Sequence, residues 1–493
     1  MEIGKLISTL LHLCEACGLL KKRDATYCAN RISALLKLDE FEFAPIIEDI
    51  DVPDILDKMA EYAAKNEIIP DLFDVKESFC ADIMNVFLAL PSEIDGIFSL
   101  LCDESPRKAT EYFYDLSKKS NYIQLKRIAK NISFDVPTEY GDLVVTINLS
   151  KPEKNPNDIA AALKVKSSAY PKCMLCVENE GYEGRISYPA RANHRIVKIN
   201  LSNEDWYFQY SPYSYYNEHC IVLSSKHRDM VVNRDALARL LEFVAKFPHY
   251  MAGSNADLPI VGGSILTHDH YQGGNYEFPM AKAAVDYDFA LPAFADVEFS
   301  VMKWPMSLIR AKSGDSAALA DAADYILTSW RAYSDTEAEI LAFSEGNPHN
   351  TITPIVRMRD GQYEVDLILR NNRQSAEHPM GIFHPHADVH HIKKENIGLI
   401  EAMGLAILPG RLVSELGEIK RFLLNENSNV ADYHIPWANE LSAKYSGTVT
   451  NANIDKIIEL EIGKKFERVL YDAGVFKRDE NGKTAFLRFV KSL

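Results

Sequence analysis

The stretch GGSILTHDHYQGG, residues 262–274, places two histidines two positions apart between two pairs of glycines. On an extended strand, residues i and i+2 face the same side, roughly 6.5–7 Å apart, so His268 and His270 are predicted to point together while Asp269 points away. Gln272 falls on the same face and can donate an amide N–H to a phosphate oxygen. The glycine pairs let a ligand approach the backbone and offer N–H groups to an anion. The stretch predicts a site for a phosphorylated substrate; the alternative is a pair of surface or core histidines without a ligand.

A second histidine pair, His384-Pro385-His386, repeats the form of the first and also follows strand-like sequence. The repetition predicts two related α+β halves. The pair lies in HPMGIFHPHADVHHIKKEN, residues 378–396, and Val389 stands where a metallohydrolase with an H-x-H-x-D fragment has a further histidine. Two interpretations therefore stay open: a second metal or polar site near His384 and His386, or a solvated histidine-rich loop.

Outward from these motifs, the chain divides into three predicted parts. Residues 1–135 show apolar residues at helical spacing and predict a helical N-terminal unit. Residues 136–300 mix strand-like runs, among them LPIVGGSILTH, with one helix capped by Asn233, and residues 151–158 read as a connection. Residues 301–493 add a hairpin turning at Asp360-Gly361 and C-terminal helices. Because regular βαβ alternation is missing, the pattern indicates the α+β class with antiparallel sheet.

The composition narrows the function classes. The 493 residues include 54 basic and 70 acidic side chains, and the formal net charge of −16 repels nucleic acid, so no nucleic-acid partner is expected. The N-terminus lacks a signal peptide's basic start and uninterrupted apolar core, and no apolar run of about 18 residues predicts a membrane span. We expect a cytoplasmic protein whose eight cysteines are thiols.

Two cysteine pairs have the C-x-x-C form. Cys173 and Cys176 lie in a polar, loop-like setting where both sulfurs can bind one Zn²⁺, whereas Cys14 and Cys17 lie in an amphipathic helical pattern typical of small buried thiols. Zinc needs two further ligands. The candidates are His219, which precedes a strand, and His268.

The motifs YPKCMLCVENEGYEGR, YNEHCIVL, SNADLPIVGGSILTHDHYQGG and GIFHPHADVHHIKKENIGLIEAMGLAILPGRL resemble the bacterial type II galactose-1-phosphate uridylyltransferases over nearly the whole chain. The related type I enzymes belong to the histidine-triad superfamily and carry an active-site His-Pro-His-Gly-Gln. Here Asp269 and Tyr271 replace the proline and the glycine. The resemblance implies two histidine-triad-like halves, the first in 136–300 with the active site and the second in 301–493, and a homodimer.

The resemblance also implies the roles of individual residues. His270 becomes the nucleophile that attacks UDP-glucose and carries UMP to galactose 1-phosphate, and Gln272 binds phosphate. The expected zinc ligands are Cys173, Cys176, His219 and His268. The expected substrate-binding residues are Asn255, Gly262, Gly263, Ser264, Gly273, Gly274 and Arg191. No strong general acid is needed, because each leaving or attacking group is already a phosphate anion.

Two other functions remain compatible with the residues. One is a histidine-triad nucleotide hydrolase or phosphorylase, in which water or phosphate replaces the sugar phosphate. The other is a zinc-stabilised protein that binds UDP-sugars without turnover. Detectable turnover separates the second from any enzyme, and the products separate hydrolysis from sugar exchange.

Overall fold

A computed structural model describes residues 2–150, 168–263 and 265–493. The chain forms two compact units, one comprising Met1–Ala129 with Ser150–His227 and the other Lys130–Leu149 with Arg228–Leu493. Both units combine helices with antiparallel strands, so the predicted α+β class is confirmed. The predicted connection at 151–158 and the expected substrate-binding residue Ser264 lie outside the described residues.

The helices follow the predicted apolar spacing. In the first unit they are α1 (Glu2–Ala16), α2 (Ala25–Leu35), α3 (Val52–Lys65), α4 (Phe73–Asn85), α5 (Pro91–Glu104), α6 (Pro106–Lys119) and α7 (Leu125–Ile128). In the second they are α8 (Arg234–Lys246), α9 (Ser316–Ala332), α10 (Leu399–Ala402), α11 (Leu412–Leu423), α12 (Ile435–Lys444), α13 (Ile454–Ala473) and α14 (Glu480–Ser492). The Asn233 side chain accepts a hydrogen bond from the Ala236 N–H, which confirms the predicted cap of α8.

The strands are short except for one hairpin. In chain order they are β1 (Ile132–Thr138), β2 (Gly141–Asn148), β3 (Val197–Leu201), β4 (Glu204–Tyr210), β5 (Cys220–Ser224), β6 (Met251–Gly253), β7 (His270–Gly274), β8 (Val285–Phe289), β9 (Glu298–Met302), β10 (Leu308–Ser313), β11 (Phe343–Ser344), β12 (Asn347–Pro348), β13 (Asn350–Arg359), β14 (Gln362–Asn371) and β15 (Leu405–Pro409). The predicted strand LPIVGGSILTH is wrong: its described residues form turns that end before β7.

The first unit has a helical core and a small sheet. Helices α1 to α4 bury one apolar cluster that includes the thiols of Cys14, Cys28 and Cys80. Strands β3, β4 and β5 pair as an antiparallel meander. The ring of Phe208 on β4 packs against Phe98 and Phe113 from α5 and α6, at centroid distances of 6.3 and 5.8 Å. Aromatic burial thus attaches the sheet to the helices of this unit.

The second unit is built on strands in the order β7-β6-β13-β14-β10-β9-β8. The predicted hairpin is confirmed: β13 and β14 join at Asp360-Gly361, whose φ angles of 51° and 79° suit a two-residue turn with positive φ at both positions. A second sheet pairs β1, β2 and β15. Helix α13 approaches β1 so closely that a Cβ on Gly463 would lie 2.2 Å from Val136, so only glycine fits.

A helix that crosses a bilayer must be both long and mostly apolar. Within 2–150, 168–263 and 265–493, no helix has both the length and the apolar content that crossing a bilayer requires.

Candidate active site

Strand β7 begins at His270 and places His270 and Gln272 on one face. His268 lies just before the strand, and its carbonyl oxygen is 2.7 Å from Nδ1 of His270. A carbonyl oxygen only accepts, so Nδ1 carries the proton and Nε2 keeps its lone pair. The side chain of His270 is only 7% exposed. The backbone before the strand therefore fixes the imidazole in the tautomer that can attack with Nε2.

The same burial controls the charge of this histidine. Burial lowers the pKa of His270 to about 4, although the hydrogen bond to the His268 carbonyl acts in the opposite direction. The imidazole is therefore neutral near pH 7.

Asp269 and Tyr271, which replace the proline and glycine of the type I motif, bind two arginines. Nε of Arg228 lies 3.2 Å from Oδ2 of Asp269, and Nη2 of Arg239 lies 3.8 Å from the same oxygen. Nε of Arg239 also donates to the hydroxyl of Tyr271 at 2.8 Å. Arg239 belongs to α8, so this helix holds both residues that flank His270. Sequence reasoning missed Arg228 and Arg239, which lie 41 positions before Asp269 and 32 positions before Tyr271, respectively.

We expect Arg239→Ala to lower stability by about 1–3 kcal/mol, because Asp269 and the Tyr271 hydroxyl lose a buried partner. We expect turnover to fall as well, since the strand that carries His270 loses its link to α8. Arg239→Lys should not restore stability or turnover. A lysine lacks the planar guanidinium, which can donate to the Asp269 carboxylate and the Tyr271 hydroxyl at the same time. Thermal unfolding and steady-state turnover measure the two effects.

Arg234→Ala is the matched control, because Arg234 lies on the same helix and pairs with Asp321 at the surface, where both side chains are about half exposed. Such a pair contributes about 0–1 kcal/mol. If Arg239→Ala and Arg234→Ala behave alike, the link through Arg239 is unimportant.

The loop before β7 packs through its glycines. A Cβ on Gly262 would lie 2.4 Å from the Ala256 carbonyl oxygen, and a Cβ on Gly263 would lie 2.5 Å from Nδ2 of Asn255. Oδ1 of Asn255 accepts from the Leu399 N–H at 3.0 Å. These expected substrate-binding residues therefore lie together in the second unit, and close packing is one reason for the two glycines. Gly273 and Gly274 follow on β7, opposite Ala252 and Met251.

In the first unit, Cys173, Cys176 and His227 form a cluster of metal-binding atoms. The two sulfurs are 3.5 Å apart, and Nδ1 of His227 lies 3.7 Å from Cys173 Sγ and 3.1 Å from Cys176 Sγ. The Asn179 amide donates to the carbonyls of both cysteines at 2.8 and 2.7 Å. Two thiols and one imidazole are a donor set that zinc prefers, so the residues present fit this metal. Burial raises the pKa of Cys176 to about 11, so a metal would have to displace its proton.

The prediction of His219 as a ligand finds no support among the described residues, where the cluster contains His227 instead. His219 is buried and packs against the ring of Tyr216, with the ring centroids 4.5 Å apart. The two histidines lie at opposite ends of β5, a five-residue strand that spans roughly 17 Å. His227 lies three residues after the end of β5 and was not singled out from the sequence.

The second histidine pair is held by protein hydrogen bonds. Nδ1 of His384 lies 3.1 Å from the Pro385 carbonyl, and its Nε2 lies 3.1 Å from Oδ1 of Asn396. Nε2 of His386 lies 3.1 Å from the Ile382 carbonyl. Neither histidine belongs to a group of three ligand side chains among the residues that the structure describes. The expected second metal therefore finds no support among the described residues.

Arg191 is buried in the first unit rather than free at a surface. Its Nη1 donates to the Tyr122 hydroxyl at 3.3 Å, and its guanidinium lies 5.7 Å from the centre of that ring. A substrate contact by Arg191 stays a prediction.

Comparisons with known proteins cover both units. Residues 18–229 match the family profile described as galactose-1-phosphate uridyl transferase, N-terminal domain, and residues 243–439 match that of its C-terminal domain. The chain belongs to the galactose-1-phosphate uridyl transferase family. The predicted resemblance is confirmed, and the chain is a nucleotidyltransferase.

Relatives within this family match over almost the full length. A galactose-1-phosphate uridylyltransferase of Clostridium perfringens is 49% identical over 100% of this chain and 99% of its own. Galactose-1-phosphate uridylyltransferase 1 of Streptococcus pneumoniae is 50% identical over 97% and 96%. Among solved structures, yeast Ap4A phosphorylase Apa2 matches 61% of this chain and 90% of its own, at 13% identity and a TM-score of 0.32.

Proposed function

We propose that this chain transfers UMP from UDP-glucose to galactose 1-phosphate through a uridylyl-histidine on His270. The observation that carries the proposal is the bond from Nδ1 of His270 to the His268 carbonyl, which leaves Nε2 free to attack. The names of the relatives supply galactose 1-phosphate as one substrate.

The reaction needs little acid or base catalysis. Nε2 of His270 attacks the α-phosphorus of UDP-glucose, the N–P bond forms, and glucose 1-phosphate leaves with the electrons of the P–O bond. Galactose 1-phosphate then attacks the same phosphorus and releases the imidazole. Both the leaving and the attacking group are phosphate anions, so positioning and charge stabilisation remain as the work of the protein.

Gln272 is proposed to bind the phosphate during both steps, because it lies two residues after His270 on the same strand face. The backbone of Gly273 and Gly274, together with Asn255 and the loop glycines Gly262 and Gly263, is proposed to line the rest of the site. Ser264 and Arg191 complete the proposed set of substrate-binding residues.

Zinc is proposed to bind Cys173, Cys176, His227 and His268. Two thiolates and two imidazoles give the closed tetrahedral set of a structural zinc site. Such an ion would hold the cysteine loop in place. His268 and His270 then have different roles, one in metal binding and one in covalent catalysis.

We expect His227→Ala to lower the bound zinc per chain by at least about tenfold, because one of four ligands is lost. Cys173→Ser should do the same. Cys17→Ser is the control from the other C-x-x-C pair, and His219→Gln is the control for the histidine; both should retain zinc. Elemental analysis after dialysis against a chelator measures the content. Retention by His227→Ala together with loss in His219→Gln would contradict this ligand set.

The decisive experiment for the function uses UDP-glucose alone, followed by peptide mass spectrometry. A uridylyl mass on His270 that galactose 1-phosphate discharges as UDP-galactose supports the double displacement. Turnover without label indicates direct transfer, and free UMP without sugar exchange indicates a hydrolase.

Three further properties belong to the proposal. We propose a homodimer, a cytoplasmic location, and two histidine-triad-like halves at 136–300 and 301–493 after a helical unit at 1–135. The antiparallel pairing of β6, from the proposed first half, with β13, from the proposed second half, supports paired halves.

A further inference from the structure

Three side chains at one end of the second unit form a hydrogen-bonded relay. Oγ of Ser344 lies 2.5 Å from Nε2 of His349, and Nδ1 of His349 lies 2.8 Å from Oδ1 of Asn372. The first residue ends β11, the second lies between β12 and β13, and the third follows β14. The order hydroxyl, imidazole, amide is that of a nucleophile, its base and the group that orients the base.

The surroundings fix the direction of each hydrogen bond. Nδ2 of Asn372 donates to the Pro259 carbonyl at 3.3 Å, which places its Oδ1 toward His349. An amide oxygen only accepts, so Nδ1 of His349 carries the proton. Nε2 therefore accepts the hydroxyl proton of Ser344, as a general base must.

The backbone holds the relay in place. The N–H of His349 donates to the Ala342 carbonyl at 2.9 Å, and the N–H of Asn372 donates to the His349 carbonyl at 3.0 Å. His349 is buried, with 8% of the residue exposed. The His349 imidazole can therefore move only slightly. A base held in position beside the hydroxyl favours proton transfer.

The serine, in contrast, is partly exposed. It precedes the turn of Glu345 and Gly346, whose φ angles are 51° and 81°, and this turn is exposed. A Cβ placed on Gly346 would meet no atom within 4 Å. We therefore expect small molecules to reach Oγ of Ser344 from the solvent side of this turn.

We propose that Ser344 is a second reactive nucleophile of this chain, with His349 as base and Asn372 as the orienting group. Its substrates are small activated esters of carboxylic or phosphoric acids that reach the turn from solvent. Oγ forms a bond to the acyl carbon or phosphorus, the bond to the leaving group breaks, and the hydroxyl proton passes to Nε2 of His349. The leaving alcohol takes that proton, and water later releases the acid and restores the serine. This activity is separate from uridylyl transfer.

Diisopropyl fluorophosphate tests the serine in the full-length protein, because it forms an O–P bond and releases fluoride. We expect peptide mass spectrometry to find Ser344 modified at least about 10²-fold faster than Ser334, a serine before the same hairpin whose Oγ only accepts the Ala342 N–H. His349→Gln should remove this difference. Equal rates at Ser344 and Ser334 would overturn the proposal.

Asn372→Asp gives a second test that does not depend on removing the base. A carboxylate stabilises the imidazolium better than an amide, so we expect faster modification of Ser344 in this variant. Asn372→Leu should be slower than the wild type. An unchanged rate in both variants would show that Ser344 is an ordinary serine. Uridylyl transfer by Ser344→Ala should equal that of the wild type, which keeps this test independent of His270.

Discussion

His270→Asn is expected to lower the turnover of UDP-glucose and galactose 1-phosphate by a factor on the order of 10⁴ or more. An asparagine fills much of the same space but has no nucleophilic nitrogen lone pair, so the covalent intermediate cannot form. The variant should bind UDP-glucose and gain no uridylyl mass. Coupled formation of UDP-galactose and mass spectrometry of the quenched protein measure the two effects.

A smaller variant of the same residue sharpens this test. His270→Gly leaves a space into which free imidazole fits, and we expect added imidazole to accept the uridylyl group and restore part of the glucose 1-phosphate release. His12→Asn, at an exposed position of α1, is the control for a histidine change and should keep full activity. Normal turnover by His270→Asn would refute the covalent role.

Asp366→Ala is expected to lower the free energy of unfolding by about 3–5 kcal/mol, because it removes one of the two buried carboxylates that Arg310 and Arg357 share and leaves only Glu364. Nε of Arg310 lies 2.7 Å from Oδ1 of Asp366, and Nη2 of Arg357 lies 2.6 Å from its Oδ2. The Asp366 side chain is fully buried. Denaturant unfolding of the full chain, followed by circular dichroism, measures the loss.

The same carboxylate should make stability depend on pH. Burial alone would raise the pKa of Asp366, but Arg357 and Arg310 hold it below its usual value. The unfolded state therefore binds the proton first, and the contribution of this group is lost as pH falls below about 4. Asp366→Ala should lack this part of the acid sensitivity.

Glu104→Ala is the matched control for Asp366→Ala. Glu104 pairs with Lys108 on α5 and α6, where both side chains are 61% exposed. The same type of change should cost less than about 1 kcal/mol there. A loss below 1 kcal/mol for Asp366→Ala would show that Glu364 alone is a sufficient partner for the two buried arginines.

Several local features could be predicted from the sequence because they depend on neighbours in the chain. The hairpin could be predicted because Asp360 and Gly361 tolerate the positive φ angles of a two-residue turn. The helix cap could be predicted because Asn233 has a side-chain oxygen that accepts a backbone hydrogen bond. The period of two along a strand put His270 and Gln272 on one face. The polar setting of Cys173 and Cys176 likewise marked them as the candidate ligand pair, and their sulfurs lie 3.5 Å apart, while Cys14 lies in the helical core.

The sequence failed where packing outweighed the local pattern. LPIVGGSILTH has the apolar content of a strand, but Gly262 and Gly263 allow the chain to pack against Ala256 and Asn255 instead. His219 lies at the start of β5 and His227 lies beyond its end. Because the strand is extended, the two histidines are far apart, and His227 is the one that lies near the cysteine sulfurs.

By itself the sequence determined the family, the α+β class, the cysteine pair and the histidine strand, since each depends on residue types at short spacing. Only the tertiary structure decided which histidine joins the cysteines, which arginines hold Asp269 and Tyr271, and that Asp366 lies between Arg310 and Arg357. These partners are far apart in the chain. Their proximity results from burial of apolar surface between helices and sheets, which no short stretch encodes.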